Sequence, residues 1–327
     1  MKNIKFIVGL LMIVTSAYSQ AVLRVNSSPA ANAPYTNIQD AVTAAGPNDI
    51  IMVEGSLTQY PNVSITKKVT IVGPGYFLNE HTGLQASILP ASVHYINLFA
   101  GSSGSKISGM TVSGSIWIDG PGDITIQNNF ITGDVGLGST SGSNYLISRN
   151  YLQMFSELNA PHFNVVVSNN FIAYSATNGA FSSNLYVNNT FATSNLSVLA
   201  LGNSTLHNNI FLGTGSFQGS LPSSMQFNVF VSSSQPGVDA TNKVGVDASS
   251  LFVGPGGYTT DTQWMLAAGS PAIGAGLAGV DCGMYGGPTP YRRGGIAAAQ
   301  HTMTNVSVPG VVGLNGTLNV RVSAKVN

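Results

Sequence analysis

Charge is the scarcest property of this chain: 12 Lys and Arg stand against 12 Asp and Glu in 327 residues. No basic cluster interrupts that balance, which excludes nucleic acid, whose phosphates require a concentrated cationic face. Cysteine occurs once, at Cys282, so no internal disulfide forms and stability must come from a packed core. Its surroundings suit a small buried hydrophobe near the closing end. After the first 19 residues no apolar run is long enough to span a bilayer. His81, His94, His162, His207 and His301 never fall at metal-ligand spacing along the chain, so no metal site is expected and zinc is disfavoured. Gly73-Pro74-Gly75 lacks the strand-to-helix context of a nucleotide loop and reads as a turn.

Residues 1–19 carry Lys2 and Lys5, an apolar run from Phe6 to Val14 and the small-x-small site Ala17-Tyr18-Ser19. This is the pattern of a cleaved secretory signal, and without a following cysteine it is not a lipoprotein leader. Its removal takes two lysines from the twelve cations, leaving ten against twelve acids. The expected compartment is secreted or extracytoplasmic.

What is present is a repeat. Ile-Thr-Ile-Gln-Asn-Asn-Phe-Ile, ending at Ile131, recurs in altered form with anchors at Asn129, Asn150, Asn170, Asn189, Asn209 and Asn228, in steps of 21, 20, 19, 20 and 19 residues. Each copy alternates apolar and polar residues, as a half-buried strand does. About 20 residues per turn leaves room for three short strands and three bends. The fold class is therefore all-β, a right-handed parallel β-helix of about nine or ten coils. The anchors are expected to occupy positive-φ bends and to donate amide to amide from coil to coil as a ladder. Asp123, Asn144, Asn164 and Asn203 form a second polar column six residues upstream and mark another bend, while Asn184 signals an irregular coil repaired by a bulge. Ile131, Leu152, Ile172, Phe191, Phe211 and Phe230 should point inward, and Phe130, Tyr151 and Phe171 outward, as a docking stripe or the bed of a covering loop.

Thr36-Asn37-Ile38-Gln39 reads as a capping box opening a helix over 36–46, whose apolar face covers the open end of the core. Asn37-Ile38-Gln39-Asp40-Ala41, Asp49-Ile50-Ile51-Met52-Val53 and Val69-Thr70-Ile71-Val72-Gly73 follow. Late in the chain come Ser270-Pro271-Ala272-Ile273-Gly274-Ala275-Gly276 and Asp281-Cys282-Gly283-Met284-Tyr285-Gly286. These stretches resemble the opening and closing segments of the pectate-lyase-like right-handed β-helix superfamily. The chain thus divides into a leader (1–19), a β-helix (20–300) with closing segment 251–287, and a C-terminal β-hairpin or tail (301–327). Gly109 is expected to replace an anchor asparagine at a bend.

Enzymes of that superfamily hold sugar on the outward face of the first strand in each coil. The resemblance places those strands at 116–118, 135–137, 157–158, 179–181, 198–201 and 217–219, with Trp117, Asp119, Asp134, Gly136, Glu157 and Asn178 facing solvent. Asp119, Asp134 and Glu157, with Arg149 as the nearby cation, form the catalytic set if the protein is an enzyme. Calcium is implied only for a lyase. No catalytic motif of the family accompanies them, and Asp119 and Asp123 also suit turn capping in Asp119-Gly120-Pro121-Gly122-Asp123. The leading expectation is a non-catalytic secreted structural or adhesion-like module binding glycan weakly along Trp117, Phe130, Tyr151 and Phe171, with a polysaccharide or cell-surface protein as partner. Alternatives are a polysaccharide lyase or glycoside hydrolase, and an interaction module pairing through the strand 317–326.

Overall fold

A computed structural model describes residues 20–81, 85, 87–158, 160–233, 239–254 and 260–296, and the strands 302–307 and 321–325. The expected leader lies outside the described residues. The chain winds into an all-β, right-handed parallel solenoid of about nine turns. Ten strands, from Val22–Val25 to Ser224–Gln226, stack as one sheet, here face A. Twelve, from Val63–Ile65 to Val229–Phe230, stack as face B, which three turns enter with two short strands each. Among the described residues no helix is long and apolar enough to cross a membrane.

Register explains the core. Ile126 pairs with Ile107 on one side and Ile147 on the other, and all three are fully buried. On face B, Ile131, Leu152, Ile172, Phe191, Phe211 and Phe230 are aligned and buried, each contributing about 1.5–3 kcal/mol of hydrophobic stabilisation. The rings of Phe191, Phe211 and Phe230 stack nearly parallel, with centroids 4.6 and 4.7 Å apart.

The asparagine pairs divide two tasks. In Asn128-Asn129, Asn169-Asn170, Asn188-Asn189 and Asn208-Asn209 the first residue takes positive φ, between 54° and 58°. The anchors themselves are not left-handed, contrary to expectation, because their side chains are needed inside. Asn150 Nδ2 donates to Asn170 Oδ1 at 3.1 Å and to Ile126 O at 2.8 Å, and the pattern repeats from Asn129 to Asn228. The ladder ends on Asn242, which stands 14 residues past Asn228 and breaks the period. Gly109 sits at the bend, with φ 72°, and Met110 takes the ladder position beside Asn129. The second column, Asp123, Asn144, Asn164 and Asn203, does take positive φ and links side chain to side chain at its start.

The cap helix is Ile38–Ala44, and its N-cap is Asn37, which accepts from Asp40 N; Gln39 instead bonds the backbone of Ser64. Ile38, Ala41, Val42 and Ala45 seal the end.

After Val229–Phe230 the chain reverses and runs back along the A-to-B corner as an irregular strap. Leu277 N donates to Asn208 Oδ1, Asn188 Nδ2 to Asp281 O, Asn169 Nδ2 to Gly286 O, and Tyr76 N to Gly294 O. Bend asparagines thus hold the strap. Beneath it, Tyr151 and Phe171 are buried with Tyr76, Trp264, Met284 and Tyr291. The stripe is therefore the bed of a covering segment and not an open docking face, with Phe130 half-buried at its margin. The C-terminal hairpin pairs Thr302–Ser307 antiparallel with Arg321–Lys325 as a separate two-stranded sheet; its expected Asn315-Gly316 turn lies outside the described residues.

Candidate functional site

The rungs on face B differ by one residue, and that difference shapes the surface. Thr132 and Gly133 of one rung oppose the single Gln153 of the next, and Ala173 and Tyr174 oppose Gln153 from the other side. A short rung between two bulged rungs leaves a notch. It is a groove of about 310 Å³ lined by Phe130, Thr132, Tyr151, Gln153, Ala173 and Tyr174, with the Ile131 and Leu152 positions at its base. Tyr174 is 54% exposed and Gln153 is exposed, while Tyr151 is buried beneath them. An aromatic wall with an amide and a hydroxyl suits a polyhydroxylated ligand with apolar ring faces.

The same missing residue inverts the parity of Glu157. Counted from the anchors, Glu157 matches Gly136; in the structure Gly136 pairs with Ser156, and Glu157 with the inward Leu137. A one-residue slip exchanges the faces of a strand. Glu157 is buried inside the solenoid, accepting from Asn184 Nδ2 and from Gly179 N at 3.1 Å. The fully buried ring of His162 stands 3.9 Å away, nitrogen to oxygen. Asn178 is also turned inward, its Oδ1 accepting from Tyr186 Oη at 2.6 Å and Asn184 Nδ2 at 3.0 Å. Glu157 thus does not face solvent as expected, Asn178 is half-buried with its amide bonded into this network, and Asn184 serves the network instead of a bend. The expected strand over 179–181 is displaced too: the strand on that rung is Phe171–Thr177. Gly142 is required beside this network, since a Cβ there would meet the Tyr145 hydroxyl at 1.7 Å.

Trp117 and Asp134 remain on the outer face. Trp117 lies over Gly136, where a Cβ would fall 2.1 Å from its ring. Asp134 accepts from the Ser156 hydroxyl, and burial pushes its carboxyl above the ordinary aspartate range against that bond. Asp119 accepts from Thr140 N at 2.9 Å and caps the next coil's turn. Trp117 pairs with Gly136, so Asp119 and Asp134 stand four strand positions apart, about 13 Å at 3.3 Å per residue. Hydrolytic pairs span about 5–9.5 Å. Arg149 sits on the opposite corner, at φ 55°, bonded to Gln127 Oε1 at 2.8 Å. Burial and then the charge of Arg292 lower its pKa, and burial and then Arg149 lower that of Lys106. The four candidate catalytic residues therefore occupy an interior, an outer face and two corners, and do not converge on one another.

Sequence reasoning missed Tyr174, Thr132 and Gln153, because their role comes from a length difference between rungs. It also missed a cluster joined across 180 residues. Asp261, fully buried, accepts at Oδ1 from His81 Nε2 at 2.9 Å, and at Oδ2 from Tyr291 Oη at 3.1 Å and Gly294 N at 2.6 Å. Tyr291 and Tyr76 bond through their hydroxyls. No protein-family model, no curated protein and no solved structure matches this chain.

Proposed function

We propose that the protein is an extracytoplasmic, non-catalytic β-solenoid of the pectate-lyase-like kind that binds a glycan in the groove between Tyr174 and the margin of the covered stripe at Phe130. The single observation that carries this reading is the notch itself, where a short rung sets the exposed Tyr174 beside Gln153 and Thr132. The signal-like residues 1–19 support the compartment. The dispersal of Asp119, Asp134, Glu157 and Arg149 supports binding without turnover.

The test is binding to immobilised polysaccharides by affinity electrophoresis, comparing the wild type with Tyr174→Ala. Loss of the aromatic wall is expected to weaken binding about tenfold, or about 1.4 kcal/mol. Equal retardation of the two proteins defeats the reading. A second reading, polysaccharide cleavage, rests on the raised carboxyl of Asp134 beside Trp117 on one outer face. Release of reducing ends or unsaturated products that stops on Asp134→Ala would establish it in place of the first.

A further inference from the structure

We propose that Glu80, His81 and Asp261 form a binding site for a divalent cation of the zinc class, which fastens the return strap to the segment after Tyr76. One ligand atom from each residue lies within 4.8 Å of the other two. The set combines an imidazole with two carboxylates, a donor choice that suits zinc and leaves a fourth position for water. Calcium, which takes six to eight oxygens, is poorly served by a nitrogen and two carboxylates.

The surroundings hold two of the three ligands in place. Asp261 Oδ2 is fixed by Tyr291 Oη and Gly294 N, which leaves Oδ1 directed at His81. The imidazole lies against Gly294, where a Cβ would approach His81 Cδ2 to 2.8 Å at φ 69°. Partners of this sort orient first ligands at metal sites. Glu80 is exposed and its side chain is free to close from solvent. Zinc bonds of about 2.0–2.1 Å in a tetrahedron put ligand atoms roughly 3.3 Å apart, so the 2.9 Å contact between His81 Nε2 and Asp261 Oδ1 opens by only a few tenths of an ångström. The metal takes the place of the hydrogen between Nε2 and Oδ1, and the neutral imidazole then carries its single hydrogen on Nδ1, so the exchange needs no other partner than solvent to relay that hydrogen.

The experiment is calorimetric titration of the metal-free, full-length protein with Zn²⁺ and separately with Ca²⁺, alongside thermal unfolding, for the wild type, Glu80→Gln and His81→Gln. Expected are saturable Zn²⁺ binding near one equivalent, a Zn²⁺-dependent rise in Tm, and no saturable response to Ca²⁺. Each substitution should weaken Zn²⁺ roughly tenfold or more. Glu80→Gln alters an exposed side chain and keeps the readout if His81→Gln disturbs the fold. Absence of saturable Zn²⁺ binding, unchanged affinity in Glu80→Gln, or equal affinity for Ca²⁺ overturns the proposal.

Discussion

Asn170 shows how much one side chain carries in this fold. Its Nδ2 donates to Ile147 O at 2.8 Å and Asn189 Oδ1 at 3.0 Å, and its Oδ1 accepts from the backbone and side chain of Asn150. Asn170→Ala strands several buried polar groups, each costing about 1–3 kcal/mol, so a loss of about 3 kcal/mol or more is expected in urea unfolding. Asn164→Gly removes only an exposed link to Asn144 and keeps the left-handed backbone; it should cost less than about 1 kcal/mol. Comparable costs for the two would mean that the inner ladder is dispensable. Asp134 makes the opposite prediction. Its folded pKa lies above its unfolded value, so stability falls as pH rises from the ordinary aspartate range through the folded pKa. Asp134→Asn should therefore raise Tm at pH 7, with the gain shrinking toward pH 3; a gain that persists at pH 3 would refute this account.

At the scale of elements, the strap is the part that composition conceals. Tyr151, Phe171, Ile210 and Val229 point away from the solenoid interior, and residues of 251–291 bury them. A chain truncated after Ser250 should bind the apolar dye ANS strongly and lose monomeric behaviour on gel filtration, while one truncated after Ile296 should do neither. Equal behaviour would show that the strap adds nothing to the core. The repeat elements were legible because alternation and a fixed asparagine mark them. Inward positions such as Leu152 and Phe211 follow directly from parity. Glu157 was not legible, since parity survives only until a bulge, and nothing local in Gln153 announces that its rung is one residue short. The groove at Tyr174 arises from that same mismatch.

Across the whole molecule, a bare solenoid ties each coil only to its neighbours. Here the strap crosses successive bends, bonded at Asn208, Asn188 and Asn169, and meets Tyr76 near the other end. The sequence by itself determined the parallel β-solenoid, its period and the column of buried amides, because short-range alternation and a 19–21-residue repeat leave few other ways to bury those side chains. Only tertiary structure decided which face Glu157 takes, that Tyr151 and Phe171 are covered, and that His81 meets Asp261. Each depends on register between rungs or on contact between segments far apart in the chain, and no local pattern encodes either.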